Sequence, residues 1–388
     1  AWANVWFLIP GCFFEALNMS SNAVSRLIQP FLKDRFLHIL LLVGVLMAAF
    51  NPQQLPALNS FIDWRTIITL LGLMLLTKGV EVSGYFDFVG RKIINTLHSE
   101  RRLALFLVFS AALLSSFLTN DVALFIVIPL TITLKKLSSL PIGRLIIFQA
   151  LAVNAGSLLT PIGNPQNILL WSKSSLSFLG FIGQMAPFGV VMLVSLLLLT
   201  GFCFPARDIV KAPHTEGYPY QLRLLLSCVA LYVIFLLCLD LDLPLYGLLA
   251  VFVGFLLLAR RVLLQIDWSL IFVFIAMFID VGLFTRLQAI QPWFADIATL
   301  GNGGIYALGI GLSQVISNVP ATILMLNYVP SSQLLAYAVN AGGFGLAIGS
   351  LANLIALRMA DERKIWLKFH YFSLPLLVWA SLLGWLLA

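Results

Sequence analysis

The sequence predicts an all-α polytopic membrane protein built from two inverted repeats, with about nine full transmembrane helices, two re-entrant helical hairpins and two broken helices. Three observations predict it. The first is composition: the 388 residues are 61% hydrophobic and 10% charged, with a mean hydropathy of +1.00. A soluble core of that kind would leave large apolar surfaces in water, whereas runs of roughly 17–25 apolar residues are what a bilayer demands. The second is the placement of basic residues in short clusters between apolar runs, such as Lys33/Arg35, Arg101/Arg102, Lys135/Lys136, Arg260/Arg261 and Arg363/Lys364. The third is a duplicated polar motif inside two of those runs.

The net charge of +7 falls in topology signals of the positive-inside kind and forms no basic stripe interleaved with aromatics. Nucleic-acid binding is therefore excluded. Cys12, Cys203, Cys228 and Cys238 are scattered without a CxxC, so neither a disulfide framework nor a zinc site is expected. They read as small packing hydrophobes. No Walker motif occurs, so ATP is not the driving force and no ATPase subunit is required. No nucleophile–base pair or metal constellation marks an enzyme.

Taken in order, residues 1–35 form an N-terminal segment, of which 1–18 read as an interfacial stretch or a start-site artefact lacking a basic n-region. Repeat 1 covers 36–204, a cytoplasmic loop and connector helix cover 205–244, and repeat 2 covers 245–388. The full spans lie at about 36–51, 65–80, 145–172, 187–204, 222–240, 245–259, 268–285, 334–357 and 370–387. The stretches 103–134 and 303–330 each have two apolar arms around a polar tip. Basic clusters flank both ends of the first, so it enters and returns on the cytoplasmic side. The second lies in a region with no Lys or Arg between Arg286 and Arg358, so it enters and returns opposite. Both read as re-entrant hairpins rather than pairs of short spans, because polar tips belong where they line a cavity. With the N-terminus cytoplasmic and the C-terminus periplasmic, only Arg65, Lys173 and Arg286 of the 23 basic residues fall outside.

The repeat is the strongest functional signal. Residues 152–167, AVNAGSLLTPIGNPQN, align without a gap to 338–353, AVNAGGFGLAIGSLAN, and share eight of sixteen positions. Thr119-Asn120 in the first hairpin matches Ser317-Asn318 in the second, and Asp63-Trp64 matches Asp267-Trp268. Chance similarity between apolar helices supplies shared Leu and Val, not matched Asn and Gly at fixed spacing.

Neither motif can be a continuous helix. Pro161 and Pro165 remove donors, while Gly156 and Gly163 in one copy, and Gly342, Gly343, Gly345 and Gly349 in the other, loosen the backbone. Freed carbonyls can take cations, and half-helix N-termini favour anions. The expected substrate and ion site therefore gathers Thr119, Asn120, Asp121, Asn154, Gly156, Gly163, Asn164 and Asn167 with Ser317, Asn318, Asn340, Gly342, Gly343, Gly349, Ser350 and Asn353. The bland alternative, that Gly and Asn merely permit close helix packing, would have to account for four motifs duplicated in order. Asp121, an ionisable group at membrane depth, is the expected coupling residue, and Asp280, deep in an apolar span, is a second. Lys78 and Glu81 read as headgroup contacts. The histidines, His214 among them, suggest no metal cluster, and no cofactor is expected beyond a bound Na⁺.

At these residues the chain resembles the ion transporter superfamily, which includes divalent-anion/sodium symporters, arsenite-efflux permeases and one family of sodium/proton antiporters. The dicarboxylate branch carries Ser-Asn-Thr in each repeat, where this chain has Thr119-Asn120-Asp121 and Ser317-Asn318-Val319. The Asn-Asp of the first tip is more like the arsenite-efflux and sodium/proton branches. With LTNDVALFIVIPLTITLK and ISNVPATIL, the pattern looks most similar to the YbiR-type inner-membrane permeases. The resemblance implies a scaffold domain, a mobile transport domain, elevator-like alternating access and homodimers. The expectation is a secondary transporter in a bacterial-type inner membrane, moving a small inorganic or organic anion coupled to H⁺ or Na⁺. A cation/proton antiporter and, more distantly, a passive anion channel are the alternatives.

Overall fold

A computed structural model describes residues 31–32, 34–210, 220–241 and 243–388. The expectations for residues 1–30, Cys12, Lys33, His214 and the loop at 211–219 lie outside the described residues. The chain is an all-α polytopic membrane protein. Its principal helices are α1 (Arg35–Phe50), α2 (Trp64–Val82), α3 (Tyr85–Thr96), α4 (Glu100–Phe117), α5 (Asn120–Leu137), α6 (Ile142–Ser157), α7 (Pro165–Ser172) and α8 (Phe178–Cys203). They continue with α9 (Leu222–Asp240), α10 (Pro244–Leu258), α11 (Trp268–Phe284), α12 (Asn302–Ile316), α13 (Asn318–Leu326), α14 (Gln333–Gly342), α15 (Leu351–Ala360) and α16 (Ile365–Leu387).

By length and composition, α8, α9 and α16 can each cross a bilayer unbroken, and α2 forms a fourth such span with the short helical turns of Pro52–Phe61, bent by 49°. The 145–172 run resolves into α6 and α7 separated by Leu158–Asn164, and the 334–357 run into α14 and α15 separated by Gly343–Ser350. The hairpin stretches are α4/α5, turning at Leu118-Thr119, and α12/α13, turning at Ser317. One helix within 80–103 escaped the apolar-run reading. The helix α3 is amphipathic, burying Phe86, Gly90 and Ile94 on one face, and this 3.6-residue period leaves no continuous apolar stretch.

The helices fall into two compact units. The first comprises the chain to Gly79 and Ser227–Leu287. Here Asp34 caps α1 by accepting from the Leu37 amide at 3.1 Å, and also accepts from Ser269 of α11 at 2.6 Å. The matched aspartates of the repeats do the same work at their helix starts: Asp63 accepts from the Thr66 amide at 3.1 Å and Asp267 from the Leu270 amide at 3.3 Å. Gly72 and Gly79 let α2 meet large side chains closely: a Cβ would stand 2.2 Å from the Phe235 ring at the first and 2.4 Å from the Phe255 ring at the second. Small residues seating large ones are how membrane helices pack without a hydrophobic drive. Buried Cys228 reaches the same glycine, Gly79, as a small packing group.

The second unit comprises Val80–Leu226 and Gln288–Ala388. Within it the two repeats pack alike: α4 lies on α6 and α12 on α14, while α5 packs on α15 and α13 on α7. At the basic end, the carbonyls closing α8 are capped by arginines, Arg101 donating to Phe204 at 2.9 Å and Arg144 to Cys203 at 2.8 Å. Buried Glu100 holds Arg207 at 2.6 Å beside them.

Candidate functional site

The site forms within the second unit, where the two broken helices interrupt each other. In each copy the Asn just ahead of the break reaches the last Asn of the other copy. Asn154 donates to Asn353 at 2.8 Å and Asn340 donates to Asn167 at 2.7 Å. The aligned positions reciprocate a second time: Ser350 donates to Asn154 Oδ1 at 3.0 Å, and Asn164 donates to Asn340 Oδ1 at 3.3 Å. Each last Asn also ties down its own break, Asn167 donating to the Ser157 carbonyl at 3.1 Å and Asn353 to that of Gly343 at 2.9 Å. Carbonyls freed by the break are thus taken up by amides, as a chain segment buried in a membrane protein requires.

The hairpins attach by the same rule. Ser116 donates to the Gly156 carbonyl at 3.0 Å, and its counterpart Gln314 donates to that of Gly342 at 2.8 Å. Glycine is obligatory at both receiving positions: a Cβ on Gly156 would stand 1.9 Å from the Ala112 carbonyl oxygen, and one on Gly342 2.3 Å from Ser313 Cβ. The first tip joins its break through the Asn120 amide, which donates to Gly163 at 2.8 Å. At the second tip, the side-chain Nδ2 of Asn318 and Oδ1 of Asn154 both face Gly343, 3.2 and 3.8 Å from where a Cβ would be. Gly349 meets the Gly342 carbonyl at 2.7 Å by the same measure.

Four helix starts are therefore gathered around the breaks: α5 at Asn120, α13 at Asn318, α7 at Pro165 and α15 at Leu351. Their amide ends carry partial positive charge, the feature by which discontinuous membrane helices hold anionic groups. Into this setting the first tip brings one carboxylate. Asp121, buried in the first turn of α5, has no partner for Oδ1. Gln166 Oε1 and Ser317 Oγ are likewise buried and unpartnered. Ser317 also adopts φ +73°, ψ 154°, a conformation that costs a side-chain-bearing residue about 1–3 kcal/mol and recurs at functional sites.

The structure brings together the sequence-expected residues of the hairpins and breaks, with Thr119 half-buried beside Asn120. Asp280 belongs to the first unit. There its carboxylate lies against the Gly44 backbone, where a Cβ would stand 2.6 Å from Oδ1, and its Oδ2 is unpartnered. Sequence reasoning missed Gln166, Ser116 and Gln314. Gln166, which donates to Asn340 at 3.4 Å, stood inside the duplicated motif but aligns with an alanine. Ser116 and Gln314 differ chemically, which hid their shared role.

Comparison with known proteins places these residues in context. Residues 35–334 match the family model described as "Citrate transporter" (CitMHS). The chain is 58% identical to the "Inner membrane protein YbiR" of Escherichia coli over 92% of its own length and 97% of that protein's. It is 32% identical to "Uncharacterized transporter MJ0456" of Methanocaldococcus jannaschii, covering 84% of this chain and 90% of the relative. A shorter match, 28% identical over 36% of this chain and 24% of the relative, is to "Putative transporter arsB" of Dictyostelium discoideum.

Proposed function

Because the chain belongs to the citrate transporter family, we propose that it is a secondary active transporter that carries a small anion, coupled to H⁺ or Na⁺. The observation that carries this reading is the gathering of four helix N-termini at two broken helices cross-linked by reciprocal asparagines. Such a centre offers oriented amide dipoles to a carboxylate or oxyanion. The family description names citrate, and the superfamily resemblance adds an arsenite-like oxyanion, so both classes are candidates. Asn120, Asn154, Asn318 and Asn340 supply the polar contacts, the motif glycines supply room for them, and Asp121 carries the coupling ion. Elevator-type alternating access and a homodimer, both implied by the superfamily resemblance, complete the proposal.

A second reading is favoured by one observation, the buried Asp121 carboxylate with an unpartnered oxygen. In that reading Asp121 exchanges Na⁺ for H⁺ and no anion moves. The test uses proteoliposomes with an internal pH-sensitive dye and an imposed proton gradient, challenged in turn with Na⁺, Li⁺, citrate, succinate, sulfate and arsenite. A response to one anion class supports the first reading. Collapse of the gradient by Na⁺ or Li⁺ alone overturns it in favour of the second.

A further inference from the structure

At the basic end of the second unit, away from the breaks at Leu158–Asn164 and Gly343–Ser350, a cavity of about 770 Å³ opens among α5, α6 and α16. Its charged wall is assembled from three helices: Lys135 at the end of α5, Arg144 in the first turn of α6 and Lys368 in the first turn of α16. Their states differ. Arg144 is held in place, donating to Cys203 at 2.8 Å and lying 5.6 Å from the centre of the Phe204 ring, which leaves most of its five donors free. Lys368 is ion-paired with Glu362 yet remains half-exposed. Lys135 is exposed and makes no ion pair or hydrogen bond within the described chain.

The α6 N-terminus is not the attraction here. The Glu362 carboxylate already sits against it, its Oε2 only 1.7 Å from where a Cβ on Gly143 would be. What remains is three cations facing one carboxylate, a formal excess of two positive charges.

The rest of the wall is apolar, including Ile132, Ile147 and Phe372. Its lip continues into a feature that a soluble anion would not use. Leu367 and Tyr371 line the cavity and are 72% and 74% exposed. They begin an outward-facing apolar row that runs along α16 through Leu374, Val378, Leu382 and Trp385 at spacings of three and four residues. As α16 is long and apolar enough to cross a bilayer, that row faces acyl chains. A basic pocket whose mouth opens onto a lipid-facing stripe has the two-part chemistry of an anionic phospholipid, a phosphate head on a hydrocarbon tail.

We propose that this cavity seats the phosphate of an anionic phospholipid, with Lys135, Arg144 and Lys368 around the headgroup and the acyl chains along the exposed row of α16. The test is native mass spectrometry of the intact purified protein, titrated with phosphatidylglycerol or with phosphatidylcholine of the same chains, each with and without millimolar inorganic phosphate. The expected result is a retained phosphatidylglycerol adduct, weaker phosphatidylcholine binding and no displacement by phosphate. Lys135→Gln lowers phosphatidylglycerol affinity about fivefold, the contribution of one basic residue near an anionic headgroup. Lys136→Gln, next in the chain but not lining the cavity, leaves it within about twofold. Neither lysine is buried, so neither change threatens the fold. Equal binding of the two lipids, or equal effects of the two substitutions, overturns the proposal. So does phosphate that binds alone and displaces the lipid, which would make the cavity a soluble-anion site.

Discussion

Replacing Asn340 by alanine tests the reciprocal cross-link directly. The substitution deletes the donor to Asn167 Oδ1 at 2.7 Å and the acceptor used by Gln166 Nε2 at 3.4 Å. Asn164 keeps its contacts to Ser157 at 3.1 and 3.3 Å, so two buried groups are orphaned rather than three. Each orphan costs about 1–3 kcal/mol, giving a destabilisation of about 2–6 kcal/mol. The quasi-symmetry makes a second prediction of the same size. Asn154→Ala orphans Asn353 Oδ1 and the Ser350 hydroxyl, again two groups. Unfolding of purified protein in mixed micelles by rising sodium dodecyl sulfate, followed by tryptophan fluorescence, reads both values. Pairing Asn340→Ala with Asn167→Ala in a double-mutant cycle should return a coupling of about 0.6 kcal/mol and at most about 1.7 kcal/mol, the mean and the maximum for side-chain hydrogen bonds inside a membrane protein. A coupling indistinguishable from zero, or a large loss at Asn340 with none at Asn154, would refute the cross-link.

Other substitutions probe the surrounding geometry. Gly156→Ala drives a Cβ into the Ala112 carbonyl and should cost about 1–3 kcal/mol as an overpacking change; Gly183→Ala, where nothing lies within 4 Å, should be neutral or slightly stabilising in the same unfolding assay. Ser317→Gly relieves the positive φ and removes an unpartnered hydroxyl, so it should stabilise the protein by about 1–2 kcal/mol after the entropy cost of glycine. Ser317→Ala keeps the strain and should not match it. A Ser317→Gly variant less stable than wild type would show that the strain is not real.

Much of this site was legible because its polar residues sit where apolar helices cannot explain them. The ungapped alignment of 152–167 with 338–353 paired Asn154 with Asn340 and Asn167 with Asn353, and those four side chains form the reciprocal bonds. The Asp-Trp landmarks were legible as helix starts for the same local reason, an aspartate accepting from the amide three residues on. What stayed hidden depended on tertiary contact. The repeats do not disclose which helices pack together: the compact units divide the chain within α2, within α9 and just after α11, not at a repeat boundary. The exchange of Ser116 for Gln314 preserves a donor while changing the residue type, so identity between repeats could not find it. Asp280 drew notice as a charge in an apolar span, yet its packing against Gly44 is visible only when α1 and α11 meet.

The most direct test of the central claim separates substrate binding from coupling at Asp121. Proteoliposomes carrying wild type or Asp121→Asn would be assayed with the responding anion in two ways, gradient-driven accumulation and exchange of labelled for unlabelled substrate without a gradient. If Asp121 carries the coupling ion beside an anion held by the broken helices, the variant loses accumulation and retains exchange. Accumulation that survives at the wild-type rate would contradict that account.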